Sequence, residues 1–176
     1  VTRAHADPVE ILRLRAQALA RKRETDTAPG TLLELLEFSL AHERYAVESR
    51  FISEVHTLED LTPLPGVPPF IRGIVNLRGR ILPVLDLKKF FELPERGLTD
   101  LHRIVVVRGH DLELGLLADT VIGLRHVALE SLQPSLPTLT GIRADYLKGV
   151  SKERLVVLDL DRVLADPKIV VHDEID

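Results

Sequence analysis

The sequence predicts a mainly β fold of two small barrels packed together, with short helices and an N-terminal helical extension. Three observations carry that prediction. The first is a β-hairpin, Phe70 to Phe91 (FIRGIVNLRGRILPVLDLKKFF), with its turn at Leu77-Arg78-Gly79-Arg80 between aliphatic arms. The second is a shortened echo, Tyr146 to Leu164 (YLKGVSKERLVVLDLDRVL), which repeats an aromatic, an aliphatic, a basic residue, Gly and an aliphatic in order. It then repeats Val-Leu-Asp-Leu outright, as Val84 to Leu87 and as Val157 to Leu160. Internal repetition outranks local propensity when a fold is chosen. The third is the spacing of short strands between Gly and Pro turns, which favours small barrels over a sandwich of long strands.

The elements follow in order. Asp7 to Glu24 reads as a short basic helix, with Asp7 as N-cap and Pro8 at the first helical position. It is either a solvated arm or a helix that docks on a partner or on the domain itself. Thr25 to Gly30 is a linker, so residues 1–31 form an extension ahead of the β core. From Leu33 the strand pattern begins. Leu36, Phe38 and Leu40 alternate with Glu37 and Ser39, the period of a strand with one wet face. Ala41 to Arg44 turns the chain, and Tyr45 and Val47 resume the alternation. Phe51, Ile52 and Val55 form a one-sided packing segment, strand or short helix. Thr62 to Pro69 carries four prolines and reads as a stiff, ordered connector.

After the hairpin, Lys88 to Leu93 is a possible helical turn. The second half opens on Arg103 to Arg108 (RIVVVR), turns at Gly109-His110-Asp111 and returns through Leu112 to Leu117. On this reading Leu40 aligns with Val107, Tyr45 with Leu112 and Val47 with Leu114. Val121 to Leu129 adds a strand, and Ser131 to Gly141 takes the place of the Pro-rich connector. The echo hairpin and a closing turn at Asp161 to Ala165 complete the repeat. The expected units are therefore about 32–100 and 101–166 within one domain over 32–166, followed by an acidic tail, 167–176.

Composition narrows the function. The chain has 176 residues, 45% of them hydrophobic, enough for one domain's core. Its net charge is −4 and only 4% of residues are aromatic, which argues against nucleic-acid binding or a base-stacking face. Cys is absent, excluding disulfides, thiol nucleophiles and Cys-type zinc sites. No apolar run approaches a membrane span, and no signal peptide opens the chain. The expected setting is cytoplasmic, without direct membrane insertion. Met is also absent and the chain opens on Val1, as after removal of an initiator Met or in a fragment. The arm and the acidic end read as termini.

No residue set nominates an active site. Asp86 and Asp159 fall at equivalent places, and repeat symmetry assigns each to capping or bonding its own turn rather than to acid–base work. The seven histidines lack metal-ligand spacing, and phosphate loops and nucleophile elbows are missing. No catalytic, metal or cofactor site is expected. Arg78 sits beside Gly79, which can take positive φ and let a tight turn push its neighbour outward. Asn76, the only Asn, reads as a ligand of the turn backbone. Ile52, Val55, Val121 and Ile122 fall at matching places and border the seam between halves, at least two of them as core.

At these residues the chain resembles the CheW family, the adaptor proteins of bacterial chemotaxis. The resemblance runs from about Leu33 to Asp166 and is most specific from Phe70 to Leu87, with NLRG at Asn76 to Gly79 and VLDL at Val84 to Leu87. It implies two five-stranded SH3-like barrels with a hydrophobic seam. It also implies a non-enzymatic adaptor that bridges the cytoplasmic domains of methyl-accepting chemoreceptors to a CheA-type histidine kinase. The Arg of NLRG is tied to that coupling, so the resemblance gives Arg78 the role, with Asn76 and Gly79 in the same motif. Gly73, Glu54 and Ile52 match further positions linked to binding. The alternatives are the regulatory domain of such a kinase, or an adaptor of a motility or development pathway other than flagellar chemotaxis. One departure is the first turn, Ala41-His42-Glu43-Arg44, which lacks the Gly often found there.

Overall fold

The computed structural model describes residues 30–93, 102–134 and 142–169, together with Arg13 and Ala16, which are helical. The remainder of the expected N-terminal helix and linker, and the tail from residue 170, lie outside the described residues.

Among the described residues, ten strands form two five-stranded sheets. In chain order they are β1 (Leu32–Leu40), β2 (Glu43–Glu48), β3 (Ile52–Thr57), β4 (Ile71–Leu77), β5 (Arg80–Leu85), β6 (Arg103–Gly109), β7 (Leu112–Ala118), β8 (Thr120–Ala128), β9 (Leu147–Val150) and β10 (Leu155–Leu158). Two short helices follow the hairpins, α1 (Leu87–Phe90) and α2 (Leu160–Leu164). A 3-10 turn, Ser49–Phe51, precedes β3, so the segment expected as strand or helix is some of each.

The strand orders are β8-β1-β2-β10-β9 and β3-β6-β7-β5-β4. Replacing each strand of the first sheet by its counterpart in the other repeat produces the second order. The duplication expected from the hairpin echo is therefore a property of the topology. The expected boundary near residue 100 needs correction. Residues 52–118 supply the whole of the second sheet, while the first combines β1 and β2 with β8, β9 and β10. From its third strand onward each repeat lies in the other sheet: β3 pairs with β6, and β8 with β1. Chain order alone could not show this, because pairing partners are chosen by tertiary contacts.

The repeat register is also corrected, by two residues. Phe38 faces Tyr45 across β1–β2, and Val107 faces Leu114 across β6–β7. Phe38 thus matches Val107, Tyr45 matches Leu114 and Val47 matches Leu116. The shift arises because both turns are two residues long. His110 and Asp111 adopt left-handed φ of 51° and 60°, whereas Ala41 alone does so in the first turn, at 56°. That backbone is unfavourable for alanine, and Asp119 Oδ2 accepts a hydrogen bond from Ala41 N at 2.7 Å to hold it.

Among the described residues three apolar clusters form. The largest is the seam between the sheets, which gathers Phe38, Tyr45, Val105, Val107, Leu114, Leu116 and Leu158 with both helices. Each sheet also has a smaller cluster on its other face: Leu33, Leu35, Ala46, Leu155 and Val157 in the first, and Val75, Leu82, Val84, Ile104, Val106 and Leu117 in the second. Strands β1 and β6 are therefore buried on both sides. The expected wet face of β1 is corrected accordingly. Glu37 is 5% exposed, its carboxylate held by Arg44 Nη1 at 3.0 Å and Arg125 Nη1 at 3.2 Å. Both arginines come from other strands, so local alternation could not reveal the burial.

The equivalent aspartates cap the helices, as expected from symmetry. Asp86 Oδ1 accepts from Lys88 N at 3.0 Å and Asp159 Oδ1 from Arg162 N at 3.3 Å. Each satisfies a helix-terminal donor that would otherwise be unpaired. The connectors match as well. Thr62 exchanges backbone hydrogen bonds of 2.9 and 2.8 Å with Ile74, and Gln133 exchanges two of 2.9 Å with Val150. The two sheets fit the expected pair of small five-stranded units.

Candidate functional site

The β4–β5 hairpin turns where the sequence places it. Arg78 and Gly79 both take positive φ, 53° and 84°, the requirement of a two-residue turn that follows strand twist. Asn76 Oδ1 accepts from Gly79 N at 2.9 Å, so Asn76 binds the turn backbone. The tip projects Arg78, whose side chain is 79% exposed.

Beneath the tip lies a cluster of charges from four strands. Glu54 of β3 accepts from Arg80 of β5, and Arg80 also donates to Glu113 of β7. Arg108 of β6 donates to the other Glu113 oxygen at 2.9 Å. His56 Nε2 is 2.8 Å from Glu54 Oε2, while Arg78 Nη1 stands farther away at 3.7 Å. His56, then Arg80 and Arg78, hold the Glu54 carboxyl below its ordinary range against the opposing effect of burial. The sequence-derived residues Arg78, Asn76, Gly79 and Glu54 thus meet at one end of the second sheet. Arg80, Glu113, Arg108 and His56 join them unforeseen. Lone charges on four separate strands give no sequence signal that they converge.

Gly73 and Ile52 serve different ends. Gly73 has φ of 145°, and a Cβ there would stand 2.2 Å from the Thr62 carbonyl oxygen. It lets the connector lie against β4. Ile52 is half-buried against the seam, as is its counterpart Val121. Val55 and Ile122 are exposed, at 40% and 54%, so two of the four expected seam residues are packed there and two are not. The counterpart of Val55 is Leu124 rather than Ile122, and it too is exposed.

One more feature opens beside the hairpin. Leu64, Val67, Ile71, Pro83, Leu85, Leu112, Leu114 and Ile169 line an apolar hollow of about 250 Å³. Among the described residues, no group of three or more His, Asp or Glu is placed to hold a metal ion. Nor is any described helix long and apolar enough to cross a membrane.

An exposed arginine turn, a charge cluster and a shallow apolar hollow thus lie on two interleaved sheets. The CheW-like domain family matches residues 34–168, and the chain belongs to that family. It is 30% identical to the chemotaxis protein CheW of Treponema pallidum, over 77% of this chain and 84% of that one. Protein FrzA of Myxococcus xanthus is 34% identical over 74% of this chain and 84% of its own. Among solved structures, the scaffolding protein TtCheW of Thermoanaerobacter tengcongensis superposes with a TM-score of 0.65 at 32% identity. That match covers 73% of this chain and 89% of the other. The expected fold and family are borne out.

Proposed function

We propose that the protein is a non-enzymatic adaptor coupling the cytoplasmic tips of methyl-accepting chemoreceptors to a CheA-type histidine kinase. It works in the cytoplasm and reaches receptor arrays through these partners. The observation that carries this reading is the Arg78 turn, placed in the family motif and projected to 79% exposure. A side chain with five donors and little burial costs the fold almost nothing and is free to enter an interface. The adjoining hollow supplies apolar surface of the kind a helical partner can cover. Glu54, Ile52, Gly73, Asn76 and Gly79 complete the proposed docking set, the glycines and Asn76 by shaping backbone.

The test is capture of CheA and of receptor cytoplasmic fragments from the same organism by the purified chain. Retention of both is the expected result, and retention of neither would overturn the proposal. A second reading, an adaptor for a pathway other than flagellar chemotaxis, draws on the 34% identity to a relative named FrzA rather than CheW. Capture of a kinase from such a pathway in preference to CheA would decide for it.

A further inference from the structure

Among the described residues, β8 is the outer strand of its sheet and pairs with β1 alone. It is nine residues long and contains neither Lys nor Pro. Its one arginine, Arg125, is engaged by Glu37 and Glu153. Ile122 and Leu124 stand 54% and 63% exposed on it, and Leu32 of β1, opposite Ala128, is 51% exposed. A long edge with bare aliphatics invites unwanted pairing, and proteins blunt such edges with charge or cover them with another element. The equivalent edge, β3, is six residues long and carries the Glu54–His56 pair. The edge that lacks protection is β8.

The chain brings a cover to that place. Thr31 O accepts from Leu129 N at 2.9 Å, which pins the end of the N-terminal linker beside the end of β8. A Cβ on Gly30 would collide with the Glu130 carboxylate, so the linker passes directly against that acid. Ahead of it lies the basic helix expected over Asp7 to Glu24, where Ile11 and Leu12 recur as Ala18 and Leu19 to form an apolar stripe. Arg13 and Ala16, outside the stripe, are helical and exposed. A helix over residues 7–24 is about 27 Å long, against about 30 Å for β8. Fully extended, the linker reaches about 20 Å. We infer, independently of the adaptor reading, that this helix folds back along the β8 edge of its own chain. Its stripe then covers Leu32, Ile122 and Leu124. Arg21, Lys22 and Arg23, at the end nearest the linker, lie beside Glu130 and Glu34, the acids at the linker end of β8. Exposed ion pairs contribute little, so the apolar contacts hold the helix and the charges set its direction.

The chain has no Cys, so a nitroxide attached to Arg13→Cys marks a single site of the full chain. The expected result is paramagnetic broadening of the Ile122, Leu124 and His126 amide signals, with those of β3 unaffected. Leu12→Asp and Leu124→Asp should each abolish the broadening, while Val55→Asp on β3 leaves it intact. Leu124→Asp should also lower the helical circular dichroism signal, because an amphipathic helix draws most of its stability from the surface it packs on. If Leu124→Asp unfolds the chain, Leu12→Asp, which lies outside the β core, decides alone. No broadening on β8, or equal broadening on β8 and β3, would overturn the inference and leave the edge to another protein. Broadening that survives Leu12→Asp would overturn it too. So would equal broadening of an unlabelled, isotope-enriched chain on mixing with the labelled one, which would place the helix on a second copy.

Discussion

The two repeats fill the same seam with different side chains. On the first, the cross-strand pair is Phe38 and Tyr45, both fully buried, and Tyr45 stacks on Phe91 at 6.2 Å between centroids. Phe90 and Tyr146 close on the same group. On the second, the matching pair is Val107 and Leu114, and the space beside Leu114 is the apolar hollow. The small-sheet faces differ in the opposite sense. Glu37 and Glu48 stand where the second repeat has Val106 and Leu117. The first sheet spends its aromatics on packing, while the second, which takes β4 and β5 from the first repeat, keeps an open apolar surface beside an exposed hairpin. The contrast therefore follows the two sheets and not the two repeats.

Removing Tyr45 would break this contrast most directly. Tyr45→Ala is expected to cost about 3–5 kcal/mol, read from chemical denaturation, because its neighbours cannot close over so large a void. A cost below about 1 kcal/mol would mean that the aromatic group is not the stronger half. The caps give a smaller, graded comparison. Asp86→Ala should cost about 1–2 kcal/mol, since Asp86 is 2% exposed, and Asp159→Ala less, since Asp159 is partly solvated. Equal losses would deny that burial separates the repeats.

Acid probes the polar substitution. Burial pushes the Glu48 carboxyl up, but hydrogen bonds from Lys148 and Arg50 outweigh it and hold the group below its ordinary range. A lowered folded value means a stabilising contribution that is present above the unfolded value of about 4.3. It is lost as pH falls through the folded one. Glu48→Gln should therefore lower stability at pH 7 and make its decline in acid shallower, as followed by melting temperature against pH. Leu114→Phe reaches into existing space and should change stability by less than about 1 kcal/mol while altering partner affinity. Smallest of all, Arg78→Glu should leave denaturation within about 0.5 kcal/mol of the parent.

What the sequence made legible was local. The Asn76–Gly79 turn and the paired aspartate caps each follow from a residue's own conformational or hydrogen-bonding limits. The crossing of β3 and β8 was not legible, since a strand pattern names no partner. The repeat register slips because both turns read too long from sequence, the first by Glu43 and Arg44 at its far end and the second by Gly109 at its near end. Glu37 reads as wet because Arg44 and Arg125, on other strands, reach it only in three dimensions. For the same reason Arg78 was readable as a motif, while the cluster of charge around it needed four strands to be brought together.

The crossing strands carry a consequence for each repeat. One repeat alone holds two strands of one sheet and three of the other, so by itself it can complete neither. Each sheet needs the first two strands of one unit and the last three of its twin. Within one polypeptide the two units are always present to complete each other's sheets.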